Sequence, residues 1–215
     1  TTEGRAEIAA LSKKHGVRVG SLTGDIFMQM PFWRVEGSAR AQRLTEYEAV
    51  AEASGKAGIR FIVVPLVDNG AMTSPQDEDV VVDELVKRAA WLNERNVVVV
   101  FESDYPPTQL ANFIRRFPTA TFGINYDIGN SAALGYSAQE EIAAYFPRIL
   151  NVHVKDRKLG GTTVPLGSGN ADIPGVLAEL TRRNYRGAYV LQTARAADGN
   201  HATTLERYRD MVEKW

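Results

Sequence analysis

The segment VVVVFE, residues 97–102, is a continuous apolar run that ends in a carboxylate. Three later runs have a similar form: FGINYD ends in Asp127, ILNVHV contains His153 near its end, and AYVLQ ends in Gln192. Each interval is about the length of one strand, one helix and a return loop. Strands connected in this way run parallel, so their carboxyl ends lie together. We therefore expect Glu102, Asp127, His153 and Gln192 to converge at one end of a parallel barrel.

The rest of the chain repeats this alternation of helix and strand. Runs such as FIVV, residues 61–64, are apolar at every position, as expected of strands that helices cover on both faces. Strands are predicted at 17–22, 59–66, 97–102, 119–127, 149–156 and 187–192. Helices are predicted at 3–15, 39–58, 77–95, 107–117, 137–147, 173–184 and 202–215, and residues 23–38 are expected to form a loop. This pattern predicts an α/β protein with a parallel sheet.

Six strands are fewer than the eight of a closed (β/α)8 barrel, and the chain opens on a helix. We therefore expect a barrel without its first two strands, in which residues 1–215 are one N-terminally truncated domain. A complete six-stranded doubly wound sheet is the alternative, and its active site would also lie at the carboxyl ends of the strands. No linker or shift in composition indicates a second domain.

The composition excludes several classes of function. There are 25 basic and 26 acidic residues, and no basic run exceeds two residues, so no nucleic-acid partner is expected. The absence of cysteine excludes disulfides, thiolate metal ligands and cysteine nucleophiles. No apolar stretch approaches the ~20 residues of a membrane span, and the first residues lack the apolar core of a signal peptide. We therefore expect a cytoplasmic protein with no membrane partner.

Two carboxylates and an imidazole at one end of a barrel form a ligand set for a divalent metal ion. Four motifs occur in order: VVVVF before Glu102, YDIGN at 126–130, HVKD at 153–156 and VPLGSGNADI at 164–173. With them the chain resembles the xylose isomerase-like TIM-barrel superfamily, in particular its sugar and sugar-phosphate isomerases and epimerases.

The resemblance covers residues 1–215 and implies that the six strands are numbers three to eight of the barrel. It also implies a small carbohydrate substrate. Association into homo-oligomers is compatible with the resemblance. The metal ion, manganese, magnesium, cobalt or zinc, would be held by Glu102, Asp127, His153 and the residue at position 192.

Two positions depart from the pattern of the superfamily. Its fourth metal ligand is a glutamate, whereas this chain has Gln192. A glutamine offers a carbonyl oxygen to a metal, but it carries no charge and is no base near neutral pH. The superfamily usually has a histidine where this chain has Asn130, which can replace a hydrogen bond to substrate but cannot shuttle a proton.

The implied chemistry is removal of a proton from the carbon next to a carbonyl, which gives an enediolate that a divalent ion stabilises as a Lewis acid. Returning the proton to another carbon is isomerisation, and returning it from the opposite face to the same carbon is epimerisation. Glu102 is the only evident base at this level, which favours a one-base isomerisation.

Four other residues are candidates for contacts to the substrate. Lys155 is two positions after His153 on a strand and so points to the same side, where we expect it to act in catalysis. Arg157 is a candidate contact to a phosphate or hydroxyl, with a solvated salt bridge to Asp156 as the alternative. Asp68 is a candidate for sugar hydroxyls or for a plain turn. Trp33, in the aromatic and Met-rich segment 23–38, is a candidate wall over the sugar or a surface or dimer contact.

Two further functions stay open. One is a lyase on the same fold, such as an inosose dehydratase-like enzyme. An endonuclease of the superfamily is disfavoured, because three histidines cannot furnish a histidine-rich multi-metal site and the charge balance does not suit DNA. The other is a non-catalytic sugar-binding relative, for which Gln192 and Asn130 are the positive indications. The fold alone does not choose among them.

Overall fold

The computed structural model describes residues 1–215 and contains a six-stranded parallel sheet and a separate two-stranded ribbon. The strands are β1 (Ser21–Thr23), β2 (Phe61–Leu66), β3 (Val98–Ser103), β4 (Phe122–Asp127), β5 (Ile149–Val154), β6 (Asp156–Arg157), β7 (Thr163–Val164) and β8 (Ala188–Leu191). The sheet has the order β1-β2-β3-β4-β5-β8, in which the strands follow one another without a reversal. The doubly wound alternative is therefore wrong, since that fold requires a reversal of strand order. The predicted α/β architecture of a partial barrel is confirmed.

Ten α-helices flank and connect these strands. They are α1 (Thr2–His15), α2 (Asp25–Gln29), α3 (Gly37–Lys56), α4 (Pro75–Val86), α5 (Ala89–Glu94), α6 (Pro107–Arg115), α7 (Ile128–Leu134), α8 (Ala138–Tyr145), α9 (Ile173–Arg182) and α10 (His201–Lys214). Short 3-10 turns occupy Phe32–Arg34, Asp68–Gly70 and Phe146–Arg148. No helix is long and apolar enough to cross a membrane.

Local sequence signals explain where several helices begin and end. The Ser74 hydroxyl accepts a hydrogen bond from the Asp77 amide, and Pro75 follows at the first helical position of α4. Asp172 caps α9 in the same way by accepting from the Gly175 amide. Helix α7 ends at Gly135, whose φ of 75° is the left-handed conformation that glycine adopts without steric strain.

The chain divides into two compact units. The first comprises residues 1–103 and 113–123, and the second comprises residues 104–112 and 124–215. In the first unit, β1, β2 and β3 pair in parallel register, which places Val63 opposite Thr23 on one side and Val100 on the other. A single domain over residues 1–215, and its N-terminal truncation, stay predictions.

The core of the first unit contains two aromatic groups. Phe101, Phe113, Phe117 and Phe122 are buried with neighbouring ring centroids 4.9 to 6.1 Å apart. Burial of each such side chain stabilises a fold by about 1.5–3 kcal/mol. The second group consists of Phe27, Phe32, Trp33 and Tyr47, all buried.

Segment 23–38, expected to be a loop, contains α2 and a 3-10 turn and contributes three of these rings. The expectation of a loop is therefore wrong. The reason is packing, because burial of aromatic side chains stabilises local helical turns that have no periodicity of their own.

In the second unit, β4, β5 and β8 pair in parallel, and the register places Asp127 opposite His153 and His153 opposite Val190. The register shifts between Ile124 and Asn125, so that Asn125 lies opposite Asn151. Near the carboxyl ends of β4 and β5, Asn125 thus lies opposite Asn151 and Asp127 lies opposite His153.

Candidate metal centre

Asp127, the last residue of β4, uses its two carboxylate oxygens differently. Oδ1 accepts a hydrogen bond of 2.8 Å from the amide of Asn130 and so caps helix α7. Oδ2 is buried and has no hydrogen-bond partner within the protein. It lies 2.7 Å from Lys155 Nζ and 3.8 Å from His153 Nδ1, and the lysine contact is an ion pair outside hydrogen-bond geometry. One oxygen is therefore structural, and the other is available to a cation.

Asp127 is held in its charged form. Burial alone would raise its pKa, but the neighbouring His153 imidazole and the positive charge of Lys155 outweigh burial, and the pKa lies below the usual value of 3.8. A buried carboxylate that stays ionised is the kind of group that binds a hard divalent cation.

His153 is oriented by a pair of asparagines that the strand register brings together. Asn125 Oδ1 accepts a hydrogen bond of 2.7 Å from Asn151 Nδ2, so the amide nitrogen of Asn125 faces His153 Nδ1 at 3.1 Å. All three side chains are buried. Groups that fix a ring in this way also fix its protonation and its aim at a ligand. This pair was not predicted from the sequence, although each asparagine lies two residues before Asp127 or His153, a spacing that places it on the same face of the strand.

Lys155 follows β5 and connects Asp127 to Gln192. Its Nζ donates a hydrogen bond of 2.9 Å to Gln192 Oε1, and its side chain is 11% exposed. The backbone amide of Gln192 donates to Val154 O at 3.1 Å, which extends the pairing of β8 with β5. Gly129 lies so close that a Cβ there would be 2.9 Å from the Lys155 carbonyl group. The backbone of Lys155 is therefore fixed between α7 and β8.

Glu102 lies at the end of β3 and is buried. Glu102, Asp127 and His153 are all buried, and each offers a ligand atom to a metal ion. Asp127 Oδ2 supports the same reading, since it accepts no hydrogen bond within the protein and its near neighbours are the Lys155 ammonium and the His153 imidazole. This buried Glu-Asp-His cluster could hold a metal ion.

Asn130 and Arg157 bond to each other. Arg157 Nη1 donates to Asn130 Oδ1 at 2.8 Å, and its Nε and Nη2 donate to Gly161 O at 3.1 and 2.6 Å. Asn130 is buried within helix α7. The guanidinium thus fixes the Asn130 side chain, and their predicted contacts to substrate stay predictions.

Asp156 organises the loop that follows β5. Its Oδ2 accepts from the amides of Gly167 and Gly169 at 2.9 and 2.7 Å, and its Oδ1 accepts from Ala171 at 3.1 Å. The side chain is buried, so the alternative of a solvated salt bridge to Arg157 is wrong. A buried aspartate that accepts backbone amides closes a loop across more than ten residues, which local sequence patterns do not reveal.

The two remaining predicted site residues lie in the first unit. Asp68 is exposed at the carboxyl end of β2, with a φ of 48° in a 3-10 turn. Trp33 is 3% exposed and packs edge-to-face on Phe32, with centroids 5.0 Å apart. Its alternative as an exposed surface contact is therefore wrong, and its role beside a sugar stays a prediction.

A further buried carboxylate, Glu141 of α8, lies in the second unit and was not identified from the sequence. It accepts hydrogen bonds from the hydroxyls of Tyr126 at 3.0 Å, Ser131 at 2.7 Å and Tyr145 at 2.9 Å. Burial raises its pKa above the usual 4.5 despite these bonds. Because Tyr126 precedes Asp127 on β4, the two side chains point to opposite faces of the strand. Glu141 therefore anchors the other face of the strand that carries Asp127.

Comparison with known proteins identifies one family and several relatives. A family model described as a xylose isomerase-like TIM barrel matches residues 1–213. L-ribulose-5-phosphate 3-epimerase UlaE of Salmonella paratyphi C is 26% identical over 218 residues, which cover 98% of this chain and 77% of that protein.

Two solved structures show the same fold. A xylose isomerase domain protein from Planctomyces limnophilus superposes with a TM-score of 0.80 at 17% identity, covering 100% of this chain and 83% of that one. The IolI protein, solved with a bound zinc atom, has a TM-score of 0.80 at 16% identity, covering 98% and 82%.

Proposed function

The chain belongs to the xylose isomerase-like TIM-barrel family, and from this premise we propose that it is a divalent-metal-dependent isomerase or epimerase of a small sugar or sugar phosphate. The observation that carries the proposal is the buried Glu-Asp-His cluster that could hold a metal ion, in which Asp127 and His153 lie opposite each other on β4 and β5. The similarity to a sugar-phosphate epimerase supports the substrate class.

Glu102, Asp127, His153 and Gln192 would hold the ion. When bound, the ion supplies a Lewis acid for the substrate carbonyl and a neighbouring hydroxyl. Two of the four ligands are carboxylates, and Gln192 contributes only an uncharged carbonyl oxygen. The ion would be manganese, magnesium, cobalt or zinc, and the zinc bound to the related IolI protein supports a divalent ion of this kind.

Glu102 is the proposed base, because its carboxylate is the only remaining one in the cluster besides the helix-capping Asp127. It would take the proton from the carbon next to the carbonyl, giving an enediolate. Lys155 would contact an oxygen of the substrate and neutralise charge that develops there. Asn130, held by Arg157, would orient a hydroxyl.

Arg157, Asp68 and Trp33 complete the proposed substrate contacts. The guanidinium of Arg157 already donates three hydrogen bonds within the second unit, and Trp33 is almost fully buried. Asp68 is exposed and is the contact least restricted by its own surroundings. A cytoplasmic location and homo-oligomerisation stay predictions.

The choice between isomerisation and epimerisation rests on the number of bases. A glutamine at position 192 removes one carboxylate from the site, which favours one-base isomerisation between an aldose and a ketose. The relative UlaE is by its name a 3-epimerase, which favours epimerisation. A lyase and a non-catalytic sugar-binding protein are the alternatives, and Gln192 is the observation that favours the latter.

The test begins with metal content. Elemental mass spectrometry of the purified protein, with the Glu102→Ala and His153→Ala variants alongside, is expected to show near-stoichiometric metal that either substitution removes. The protein is then incubated in deuterium oxide with aldoses, ketoses and their phosphates. Deuterium at one carbon next to the carbonyl, together with a new sugar isomer by NMR, supports the proposal. A product with a moved carbonyl group indicates isomerisation, and one with inverted configuration at a carbon indicates epimerisation.

Glu102→Gln is expected to abolish deuterium incorporation, whereas Glu94→Gln, at an exposed carboxylate of α5, is the matched control. Loss of a hydroxyl as water in place of isomerisation would establish the lyase. A protein that binds sugars but exchanges no deuterium with any of them would overturn the proposal in favour of a binding protein.

A further inference from the structure

Lys155 bonds to two of the residues that would hold the metal ion. Its Nζ lies 2.7 Å from Asp127 Oδ2 and donates to Gln192 Oε1 at 2.9 Å. Asp127 Oδ2 is the carboxylate oxygen that the cap of α7 does not use. The ammonium therefore takes the same two oxygens that a cation at this centre needs.

An ammonium and a divalent ion cannot share these oxygens without strong repulsion, because both carry positive charge and both require contact distances below 3 Å. A glutamate at position 192 would offer a second full negative charge to the two cations. Gln192 offers one neutral carbonyl group, so occupancy by one cation works against the other.

Only the end of the Lys155 side chain is free to change partners. The backbone is confined by Gly129, where no Cβ fits, and by the bond from the Gln192 amide to the carbonyl of the preceding Val154. The side chain has four rotatable bonds, and rotation about them moves Nζ by several ångströms without moving the backbone.

We propose that Lys155 is an internal competitor of the metal ion. It compensates the charge of Asp127 and satisfies Gln192 until a divalent ion displaces its Nζ, and the displaced ammonium then becomes the group that contacts substrate. This inference rests on the proposed function only in placing the ion at Asp127 and Gln192. Binding of the metal ion thereby also releases the Lys155 ammonium to contact the substrate.

The first test is Mn²⁺ binding by isothermal titration calorimetry at one neutral pH. Lys155→Met keeps the length of the side chain without the charge and is expected to bind Mn²⁺ at least tenfold more tightly than the unaltered protein. Lys158→Met, at an exposed lysine three residues later, is the matched control for a lost charge and is expected to change the affinity less than twofold. Equal or weaker binding by Lys155→Met would overturn the proposal.

The second test uses the unaltered protein and does not depend on the folding of a variant. Lysines are acetylated briefly with an N-hydroxysuccinimide ester, with and without saturating Mn²⁺, and the modified residues are quantified by mass spectrometry. Displacement predicts that Mn²⁺ increases acetylation of Lys155 severalfold and leaves Lys158 unchanged. Mn²⁺ binding without an increase at Lys155 would mean that the ammonium stays in place, and the inference fails.

The outcomes separate this inference from the proposed function. Tighter binding by Lys155→Met without turnover of any sugar supports the competitor and refutes the enzyme. Equal affinities with sugar turnover refute the competitor and leave the enzyme. Absence of Mn²⁺ binding by both proteins refutes the competitor, and it also refutes the proposed function when the purified protein contains no other divalent metal.

Discussion

Asp127 and Glu141 are two buried carboxylates of the second unit, on opposite faces of the end of β4, and their surroundings differ. Glu141 accepts three hydroxyl groups, and burial raises its pKa. Asp127 faces an imidazole and an ammonium, its pKa is lowered, and one of its oxygens has no hydrogen bond. A carboxylate that accepts from neutral hydroxyl donors is satisfied and structural, whereas one that is held ionised beside an ammonium and an imidazole is suited to bind a cation.

The sharpest way to break this contrast is Asp127→Asn. Asparagine caps a helix as well as aspartate does, so α7 is expected to be kept, and the free energy of unfolding is expected to fall by about 1–3 kcal/mol through loss of the ion pair with Lys155. Loss of the charge removes the anionic ligand, and metal affinity is expected to fall at least about 100-fold, with activity lost. Calorimetric titration with metal and urea unfolding give the two quantities.

Asp172→Asn, the equivalent change at the cap of α9, is the control and is expected to alter neither quantity appreciably. If Asp127→Asn kept its metal affinity, Oδ2 would have no role at the centre and the contrast with Glu141 would have no functional meaning.

Glu141→Ala is expected to lower stability while leaving metal affinity nearly unchanged. It leaves three hydroxyl groups without their acceptor and creates a cavity, so stability is expected to fall by about 3 kcal/mol. Metal affinity per folded molecule is expected to stay within about threefold, measured by titration well below the melting temperature.

Glu140→Ala removes the exposed neighbour of Glu141 and is expected to change stability by less than about 0.5 kcal/mol. A large loss of metal affinity in Glu141→Ala would show that the two faces of β4 are coupled and that the division into structural and functional carboxylates is too simple.

Gln192→Glu sharpens the comparison by adding a negative charge next to Lys155, the residue that pairs with Asp127. Metal affinity is expected to rise about tenfold, equivalent to about 1.4 kcal/mol, because an anionic oxygen replaces a neutral one. Stability without metal is expected to change little, since Gln192 is only partly buried and the new carboxylate can pair with Lys155. Unchanged affinity would indicate that position 192 does not touch the ion.

The smallest expected effect is the pH dependence of stability that Glu141 contributes. Its pKa is raised in the folded state, so folding favours the protonated form, and this contribution is present below the usual pKa of 4.5 and is lost as pH rises through the raised value. Glu141→Gln cannot ionise and is expected to show a flatter decline of unfolding free energy above pH 4.5. Urea unfolding at several pH values compares the slopes, and identical slopes would contradict the raised pKa.

The sequence predicted the sheet and the ends of its central strands well, because continuous apolar runs that end in polar residues are local signals. VVVVFE and FGINYD end within one residue of β3 and β4. The first strand was placed at 17–22 but lies at Ser21–Thr23, since Val17 and Val19 are exposed. The helix expected at 77–95 is interrupted at residues 87 and 88, and no proline or glycine there signals the break.

Features that depend on contacts distant in sequence were not predicted. Helix α7 contains Gly129, which disfavours helix, and it forms because Asp127 caps it and because Lys155 packs where a side chain would stand. The β6–β7 ribbon forms in the loop that Asp156 gathers. The bond of Lys155 to Gln192 joins two strands that are adjacent only in the folded sheet.

The double use of Asp127 has an evolutionary consequence. A lineage that no longer needed a metal could not discard the aspartate freely, because most replacements would also remove the cap of α7. Position 192 carries no such obligation, since its contribution to the sheet is a backbone amide that any residue except proline supplies. Loss of metal dependence, or a change to a new chemistry, would therefore begin at position 192, and a single substitution by glutamate there would add a negative charge.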